Sequence, residues 1–141
     1  MEFKDYYQIL GVDKAAILQA LPYIDVFAPC REGFFDLCET QDLLEAKAYI
    51  RAVFQKTLLV TLGAKGSVAF DETDQMVSVA PHPAKVVDTT GAGDSYLGGF
   101  IYQRFIRQSD LKTSMEFASR CAAFTCGGLG ARSCPTLKDV L

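Results

Sequence analysis

The chain has 141 residues, of which 50% are hydrophobic and 22% are charged, and its formal net charge is −3. This length and composition are typical of one globular domain with a real hydrophobic core. The negative net charge argues against nucleic acid as a general partner, and no apolar run is long enough to predict a membrane span.

The cysteines and the N-terminus indicate the cellular setting. The chain has 5 cysteines, an odd number, and no pair of them has metal-ligand spacing. The stretch Met1–Asp5 lacks the pattern of a signal peptide. We therefore expect a cytoplasmic protein whose cysteines are free thiols.

The first half of the chain alternates short apolar runs with a helix. Residues 24–28 predict a buried strand that ends at Pro29, and residues 40–54 predict a helix with Thr40 as its candidate N-cap. The continuous apolar run 57–62 predicts a strand inside a parallel sheet.

The second half predicts a hairpin followed by two helices. Two strands are predicted over 67–70 and 76–79, with a polar turn over 71–75, and helices are predicted over 93–107 and 112–126. The pair Gly98-Gly99 permits close approach of a neighbouring element. Helices that alternate with apolar strands predict an α/β layered fold.

The most informative stretch is Asp88–Asp94, with the sequence DTTGAGD. It follows the apolar pair Val86-Val87 and predicts an extended arm, a glycine turn and a helix start. Small residues let backbone N–H groups approach an anion, at the positive end of the helix dipole. Asp94 could there accept a proton from an attacking hydroxyl, as phosphoryl transfer to an alcohol requires. The alternative is an ordinary strand-turn-helix junction whose small residues serve packing.

A second glycine turn, Thr61–Gly66, follows the predicted strand 57–62. It therefore lies at the sheet edge where open α/β sheets bind ligands. A plain strand-exit turn is the alternative interpretation.

The stretch Asp88–Asp94 closely resembles the C-terminal motif of the PfkB/ribokinase family of carbohydrate kinases. The resemblance implies that Asp94 is the catalytic base and that the amides of Gly91, Ala92 and Gly93 form an anion hole. It also implies part of a ribokinase-like, three-layer (αβα) Rossmann-like fold with a mostly parallel sheet.

The same resemblance implies positions that bind the nucleotide. Thr61, Gly63 and Gly66 match a Thr-x-Gly-x-x-Gly segment that lines the ATP site in the family. Ser119 stands where an Asn is common near the adenine, and a Gly-Ala turn beginning at Gly130 matches another border of the base. A packing helix and a turn are the alternative for these last two features.

The resemblance makes two statements about ions. Asp88 and Thr90 occupy the positions that help to hold a monovalent cation, such as K⁺, in relatives that use one; the alternative is that Asp88 caps the turn. The family usually carries Asn-x-x-Glu where this chain has Cys30-Arg31-Glu32-Gly33. We therefore expect Mg²⁺ to be brought by the nucleotide.

The resemblance covers residues 17–141 and corresponds to the C-terminal half of a family member. The other half normally provides the sugar pocket, the first strands and the lid. Residues 1–16 are predicted to be a separate segment, unrelated or fused. Within it, Lys4–Val12 resembles the opening of a J-domain without the His-Pro-Asp motif. The alternative is an amphipathic start whose Tyr7 and Leu10 pack on the body.

These observations lead to one functional hypothesis. We expect an ATP-dependent phosphotransferase that moves the γ-phosphate of ATP to a sugar or nucleoside-like hydroxyl, without nucleic acid or membrane partners. We expect the isolated chain to be incompetent, and to self-associate or capture a complementary half. The alternatives are a non-catalytic fragment that binds nucleotide or a partner chain through an exposed sheet edge, and a chaperone-interaction module.

Overall fold

The computed structural model describes residues 11–141. The chain divides into two compact units: the first contains residues up to Thr61 together with Ala69–Met76, and the second contains Leu62–Val68 together with Val77–Leu141. Among the described residues, no helix combines the length and the apolar character needed to cross a membrane.

The elements follow one another as short helices and strands. The helices are α1 Lys14–Ala20, α2 Arg31–Cys38, α3 Leu43–Arg51, α4 Ala92–Ile101, α5 Leu111–Cys126 and α6 Leu137–Val140. The strands are β1 Val26–Phe27, β2 Thr57–Thr61, β3 Ser67–Phe70 and β4 Met76–Val79. Two 3₁₀ turns, Leu21–Tyr23 and Gly63–Lys65, and one π-helical turn, Tyr102–Ile106, complete the set.

The α/β class is confirmed, but the sheet is mixed rather than mostly parallel. The four strands lie in the order β1-β2-β3-β4. β1 and β2 are parallel, with Val26 opposite Thr57 and Phe27 opposite Leu58. The connections 62–66 and 71–75 are too short for the crossover that a parallel pair needs, so β2-β3 and β3-β4 are antiparallel hairpins.

The core of the first unit is aromatic and aliphatic. The ring of Phe27 meets those of Phe34 and Phe54 edge-on, with centroids 6.2 Å away in both cases. α2 packs against α3 and against β2, and Leu58 and Ile50 are fully buried between them and their neighbours. Burial of these side chains is the main favourable term for this unit.

Helix starts in this unit differ from the prediction. α3 begins after Asp42, whose side chain accepts hydrogen bonds from the backbone N–H groups of Leu44 and Glu45. Thr40 is therefore not the N-cap; its hydroxyl instead bonds Glu45 and accepts from the Asp42 N–H. α2 was not predicted, and it begins after Cys30, which is not among the preferred capping residues.

The strand predicted over 24–28 is shorter and less buried than expected. Only Val26–Phe27 forms β1, and both residues are half-buried. The physical reason is that β1 has a strand neighbour on one side only in the described sheet.

The second unit is built on the packing of α4 along α5. A Cβ atom added to Gly99 would lie 2.7 Å from the Cys121 Sγ and 3.2 Å from the Ala118 Cα. The two helix backbones therefore approach as closely as only glycine allows. The predicted close approach is confirmed at Gly99, whereas a Cβ at Gly98 would meet nothing within 4 Å.

The predicted helix 93–107 changes character near its middle. α4 ends at Ile101 and a π-helical turn follows. The residues that α4 buries are Tyr96, Gly99 and Phe100. Helical periodicity predicts one apolar face made of Leu97, Phe100, Ile101 and Phe105. Of these only Phe100 is buried; Leu97, Ile101 and Phe105 are 37%, 46% and 51% exposed.

We predict opposite stability effects for the two adjacent glycines of α4. Gly99→Ala should lower the free energy of unfolding by about 1–3 kcal/mol, because the added methyl overpacks the α4–α5 contact. Gly98→Ala is the matched control and should raise it by about 0.5–1 kcal/mol, because alanine favours helix and the site is open. Urea unfolding followed by circular dichroism measures both; equal effects would contradict the close contact at Gly99.

Candidate functional site

The loop before α4 ends in a glycine with a left-handed backbone. Gly91 is the N-cap residue of α4, with φ 81° and ψ 0°. A Cβ atom there would lie 2.9 Å from the Ala131 Cα, so glycine serves both the conformation and the packing. The α4 backbone N–H groups at Ala92 and Gly93 follow at once, and Asp94 lies exposed in the first turn.

Asp88 fixes the loop at its other end. Its Oδ1 accepts hydrogen bonds from the backbone N–H and the hydroxyl of Thr90, at 2.9 and 2.7 Å. Its Oδ2 accepts from the backbone N–H of Gly130 at 2.9 Å. The Thr90 N–H, then the Thr90 hydroxyl and the Gly130 N–H, hold the pKa of the Asp88 carboxyl below its usual range.

The segment 127–136 forms the opposite side of the site. The backbone N–H groups of Val87 and Asp88 donate to the carbonyl of Cys126, at 2.8 and 3.2 Å. Gly130 has φ 77°, and the Ser133 hydroxyl closes the turn by donating to the Leu129 carbonyl at 2.7 Å. The end of α5 is therefore tied to the loop that starts α4.

A cavity of about 480 Å³ lies beside the first turn of α4. Its lining combines the loop, one side of α4, part of α5 and the last residues of the chain: Gly91, Asp94, Ser95, Gly98, Gly99, Tyr102, Phe117, Cys121, Ala131, Cys134, Pro135, Thr136, Leu137 and Val140. Most of these side chains are apolar, so Asp94 is the charged group on an otherwise largely apolar wall. Such a cavity fits a small molecule held by a few polar groups.

Two hydrogen bonds between side chains hold α4 in place, one of them buried and one part-buried. The hydroxyl of Thr125, which is fully buried, donates to the Ser95 hydroxyl at 2.7 Å. The hydroxyls of Ser67 and Tyr96 are 2.7 Å apart, and burial raises the pKa of Tyr96 to about 12. These bonds fix the two residues that follow Asp94 in the first turns of α4.

The structure brings only part of the predicted site to this cavity. Gly91 and Asp94 line it, but Gly63, Gly66 and Ser119 do not. Gly66 lies against the next hairpin strand, because a Cβ there would clash with the Val79 carbonyl. Thr61 belongs to the first unit, where its N–H donates to the Pro29 carbonyl at 3.2 Å.

Ser119 lies at a different cavity, next to the segment that leads to the loop. Its hydroxyl accepts a hydrogen bond from the His82 N–H at 2.8 Å. The cavity has a volume of about 340 Å³ and is lined also by Pro81, Lys112 and Glu116. The Ser119 side chain is thus already engaged by the protein backbone.

The described residues show no cluster of the side chains that most often bind a metal ion. Within residues 11–141, no group of three or more His, Cys, Asp or Glu side chains is arranged to hold one. Glu32, one carboxylate near the start of α2, is 3.0 Å from Arg31 and forms an ion pair with it. All five cysteines are free, and burial raises the pKa of the Cys38 thiol to about 12.

Sequence reasoning missed several lining residues. Tyr102, Phe117 and Cys121 reach the cavity from α5 and from the turn after α4, and Tyr102 and Phe117 stack with ring centroids 5.8 Å apart. The capping box of Thr136 and Asp139 was the signal for α6, which places Val140 on the cavity wall.

Comparison with known proteins gives a consistent result. Residues 5–138 match the model of the pfkB family of carbohydrate kinases. The chain is 36% identical over 104 residues to a bifunctional ribokinase/ribose-5-phosphate isomerase A of Fructilactobacillus sanfranciscensis, covering 73% of this chain and 19% of that protein.

Two solved structures have the same fold over most of the chain. A fructokinase of Vibrio cholerae O395, in a form with fructose, ADP and calcium bound, has a TM-score of 0.81 at 27% identity, covering 90% of this chain and 43% of that one. Arabidopsis thaliana ribokinase, complexed with ribose and ATP, has a TM-score of 0.80 at 28% identity, covering 87% and 41%. The chain spans less than half of the length of the curated relatives it matches.

The comparisons do not bear out the J-domain resemblance. The family match already begins at residue 5, inside the stretch that carried that resemblance. Tyr7 and Leu10 lie outside the described residues, and the boundary between residues 1–16 and 17–141 stays a prediction.

Proposed function

The chain belongs to the pfkB family of carbohydrate kinases, and we propose that it takes part in transfer of the γ-phosphate of ATP to a hydroxyl of a sugar or nucleoside-like molecule. The observation that carries the proposal is the junction at Gly91. There the glycine N-cap Gly91 and the Asp94 carboxylate line one cavity, and the first backbone N–H groups of α4 lie between them in sequence. An anion cradle next to a base is the arrangement that this reaction needs.

In this proposal Asp94 is the catalytic base. It accepts the proton of the acceptor hydroxyl as the hydroxyl oxygen attacks the γ-phosphorus of ATP and the bond to the ADP oxygen breaks. The amides of Gly91, Ala92 and Gly93 are proposed to donate to the phosphoryl oxygens, where negative charge develops. The Ala92 N–H donates to the Thr89 carbonyl at 3.1 Å in this structure, so it would exchange that partner for the phosphoryl oxygen. The positive end of the α4 dipole acts in the same direction. The bonds of Thr125 to Ser95 and of Tyr96 to Ser67 hold this first turn still.

The nucleotide is proposed to extend from this junction toward the second glycine turn. Thr61, Gly63 and Gly66 are its proposed contacts there, and Ser119 lies near the proposed base site. The support is the family membership and the position of the turn after β2. The backbone at Gly63 and Gly66 has positive φ, at 58° and 88°, and no side chain covers it at these two residues. The Gly66 N–H donates to the Gly63 carbonyl at 3.1 Å within the turn.

Two ions are part of the proposal. Mg²⁺ comes with the nucleotide, because the described residues present no cluster of carboxylates for it. K⁺ or another monovalent cation would be held by Asp88 and Thr90, whose carboxylate and hydroxyl oxygens are the hard donors that such a cation prefers. It would supply positive charge beside the anion cradle.

We further propose that the isolated chain is a poor kinase and that it associates with itself or with a complementary polypeptide. An exposed apolar stripe, made of Leu97 and Ile101 on α4 and of Phe105 in the π-helical turn after it, supports the association, because exposed apolar patches mark interaction sites.

We predict that the chain binds ATP. Calorimetric titration with ATP and Mg²⁺ should give saturable heat, since the α4 amides and the glycine turns offer an anion site. The variant Gly91→Val should lose this heat, because a branched side chain at positive φ distorts the backbone of the proposed anion site. Absence of heat with well-folded native protein would count against the proposed function.

We predict that Asp94→Asn separates binding from turnover. In a form that phosphorylates a sugar, either this chain or a completed version, the variant should lose turnover by about 10²–10⁴-fold. Its affinity for ATP should stay unchanged, since the amides remain. Asp110→Asn, which changes an exposed carboxylate at the start of α5, is the control. Retained turnover in Asp94→Asn would mean that Asp94 only stabilises the helix, and would favour a non-catalytic nucleotide-binding role.

We predict that the apolar stripe drives association. Sedimentation over a wide concentration range should show oligomers for the native chain, and the double variant Ile101→Asp/Phe105→Asp should shift the protein to monomer. Leu44→Asp, at a residue 59% exposed on α3, is the matched control and should leave association unchanged. A strictly monomeric native chain with robust, sugar-dependent turnover would refute both the association and the incompetence.

A further inference from the structure

The Asp88 carboxylate accepts hydrogen bonds from two segments of the chain, its own loop and the turn at Gly130. One carboxylate oxygen is used entirely within its own loop, by the N–H and hydroxyl of Thr90. The other accepts from the Gly130 N–H, 42 residues away in sequence, at 2.9 Å. Capping of the turn needs only the first oxygen.

The second carboxylate oxygen of Asp88 bonds the residue just before Ala131, which lines the cavity. Gly130 precedes Ala131, and Ala131 is the residue against which Gly91 packs, with only 2.9 Å between the Ala131 Cα and a Cβ built on Gly91. Ala131 and Cys134 line the same cavity as Asp94. A hydrogen bond that fixes Gly130 therefore also fixes the spacing between this wall and the anion cradle.

We propose that Asp88 is a positioning residue that latches the segment 127–136 onto the loop that begins α4, and so couples the order of that segment to anion binding at Gly91–Gly93. The proposal rests on the proposed function for the identity of the anion. The latch itself is defined by contacts within the second unit.

The chain contains a natural comparison for this residue. Asp71, in the turn between β3 and β4, also accepts from the N–H and hydroxyl of a threonine two residues later, both at 2.8 Å. Its third donor, the Gln75 N–H at 2.9 Å, belongs to the same turn. The Asp71 carboxylate therefore has a similar local geometry and the same charge as that of Asp88, but its hydrogen bonds all come from its own turn; the distant Arg51 bonds only the Asp71 backbone carbonyl, at 2.8 Å.

The variant Asp88→Asn tests the latch because an amide has a single acceptor oxygen. That oxygen can keep the two Thr90 donors, but the NH₂ group then faces the Gly130 N–H, and two donors cannot bond. Hydrogen–deuterium exchange of the Gly130 amide, followed by NMR, should become faster by about tenfold or more, since a bond to a charged acceptor is lost. Asp71→Asn should leave the exchange of Gly130 unchanged.

The coupling is tested by ATP titration of the same variants, in buffer whose monovalent cation is tetramethylammonium. Asp88→Asn should weaken ATP binding by about tenfold, and ATP should slow exchange at Gly130 in the native chain. Asp71→Asn should bind ATP like the native chain.

Other outcomes overturn the proposal. Weaker ATP binding with unchanged exchange at Gly130 would mean that Asp88 acts on the ligand directly. Faster exchange with unchanged ATP binding would mean that the segment is not coupled to the cradle. If the native chain binds no ATP, the proposed function fails first. Exchange at the Ala131 and Cys134 amides then decides the latch: unchanged exchange there in Asp88→Asn would overturn it.

Discussion

The contact between α4 and α5 at Gly99 is the constraint on which the candidate site depends. The glycine lets the two helix backbones approach until the Cys121 sulfur and the Ala118 Cα fill the place of a side chain. This contact fixes the axis of α4, and the axis fixes where its first turn points. The Thr125–Ser95 and Ser67–Tyr96 bonds then set its rotation. Asp94 and the N-terminal amides take their positions from this packing.

Hydrogen bonds to the ends of the elements complete the arrangement. The Cys126 carbonyl at the end of α5 accepts from two successive N–H groups before the loop. Asp88 joins that loop to Gly130. A carboxylate that accepts three charge-assisted hydrogen bonds holds its donors firmly, so Asp88 ties the loop before α4 to Gly130. Donors held in place are what electrostatic stabilisation of a transferring phosphoryl group requires, which is the role proposed for the amides of this loop.

Local sequence signals predicted part of this structure well. The hairpin strands 67–70 and 76–79 were predicted with the bounds that the structure has, because the polar turn between them is a local signal. α5 was predicted to within one residue, because its apolar spacing and its Gly127-Gly128 stop are both clear. α2 was missed because its cap is a cysteine. The share of parallel strand pairs was overestimated, because a continuous apolar run predicts a strand but not the direction of the strand beside it.

The sequence by itself determined the residue types at the start of α4: a glycine that permits a left-handed turn, small residues around the first backbone amides, and a carboxylate in the first helical turn. These are local properties of a short stretch. Only the tertiary structure decided which residues surround that stretch. The cavity wall from Tyr102 to Val140 and the bond from Asp88 to Gly130 join segments that are distant along the chain. The exposure of Leu97, Ile101 and Phe105 has the same origin, because helical periodicity identifies a face but not the partner that covers it.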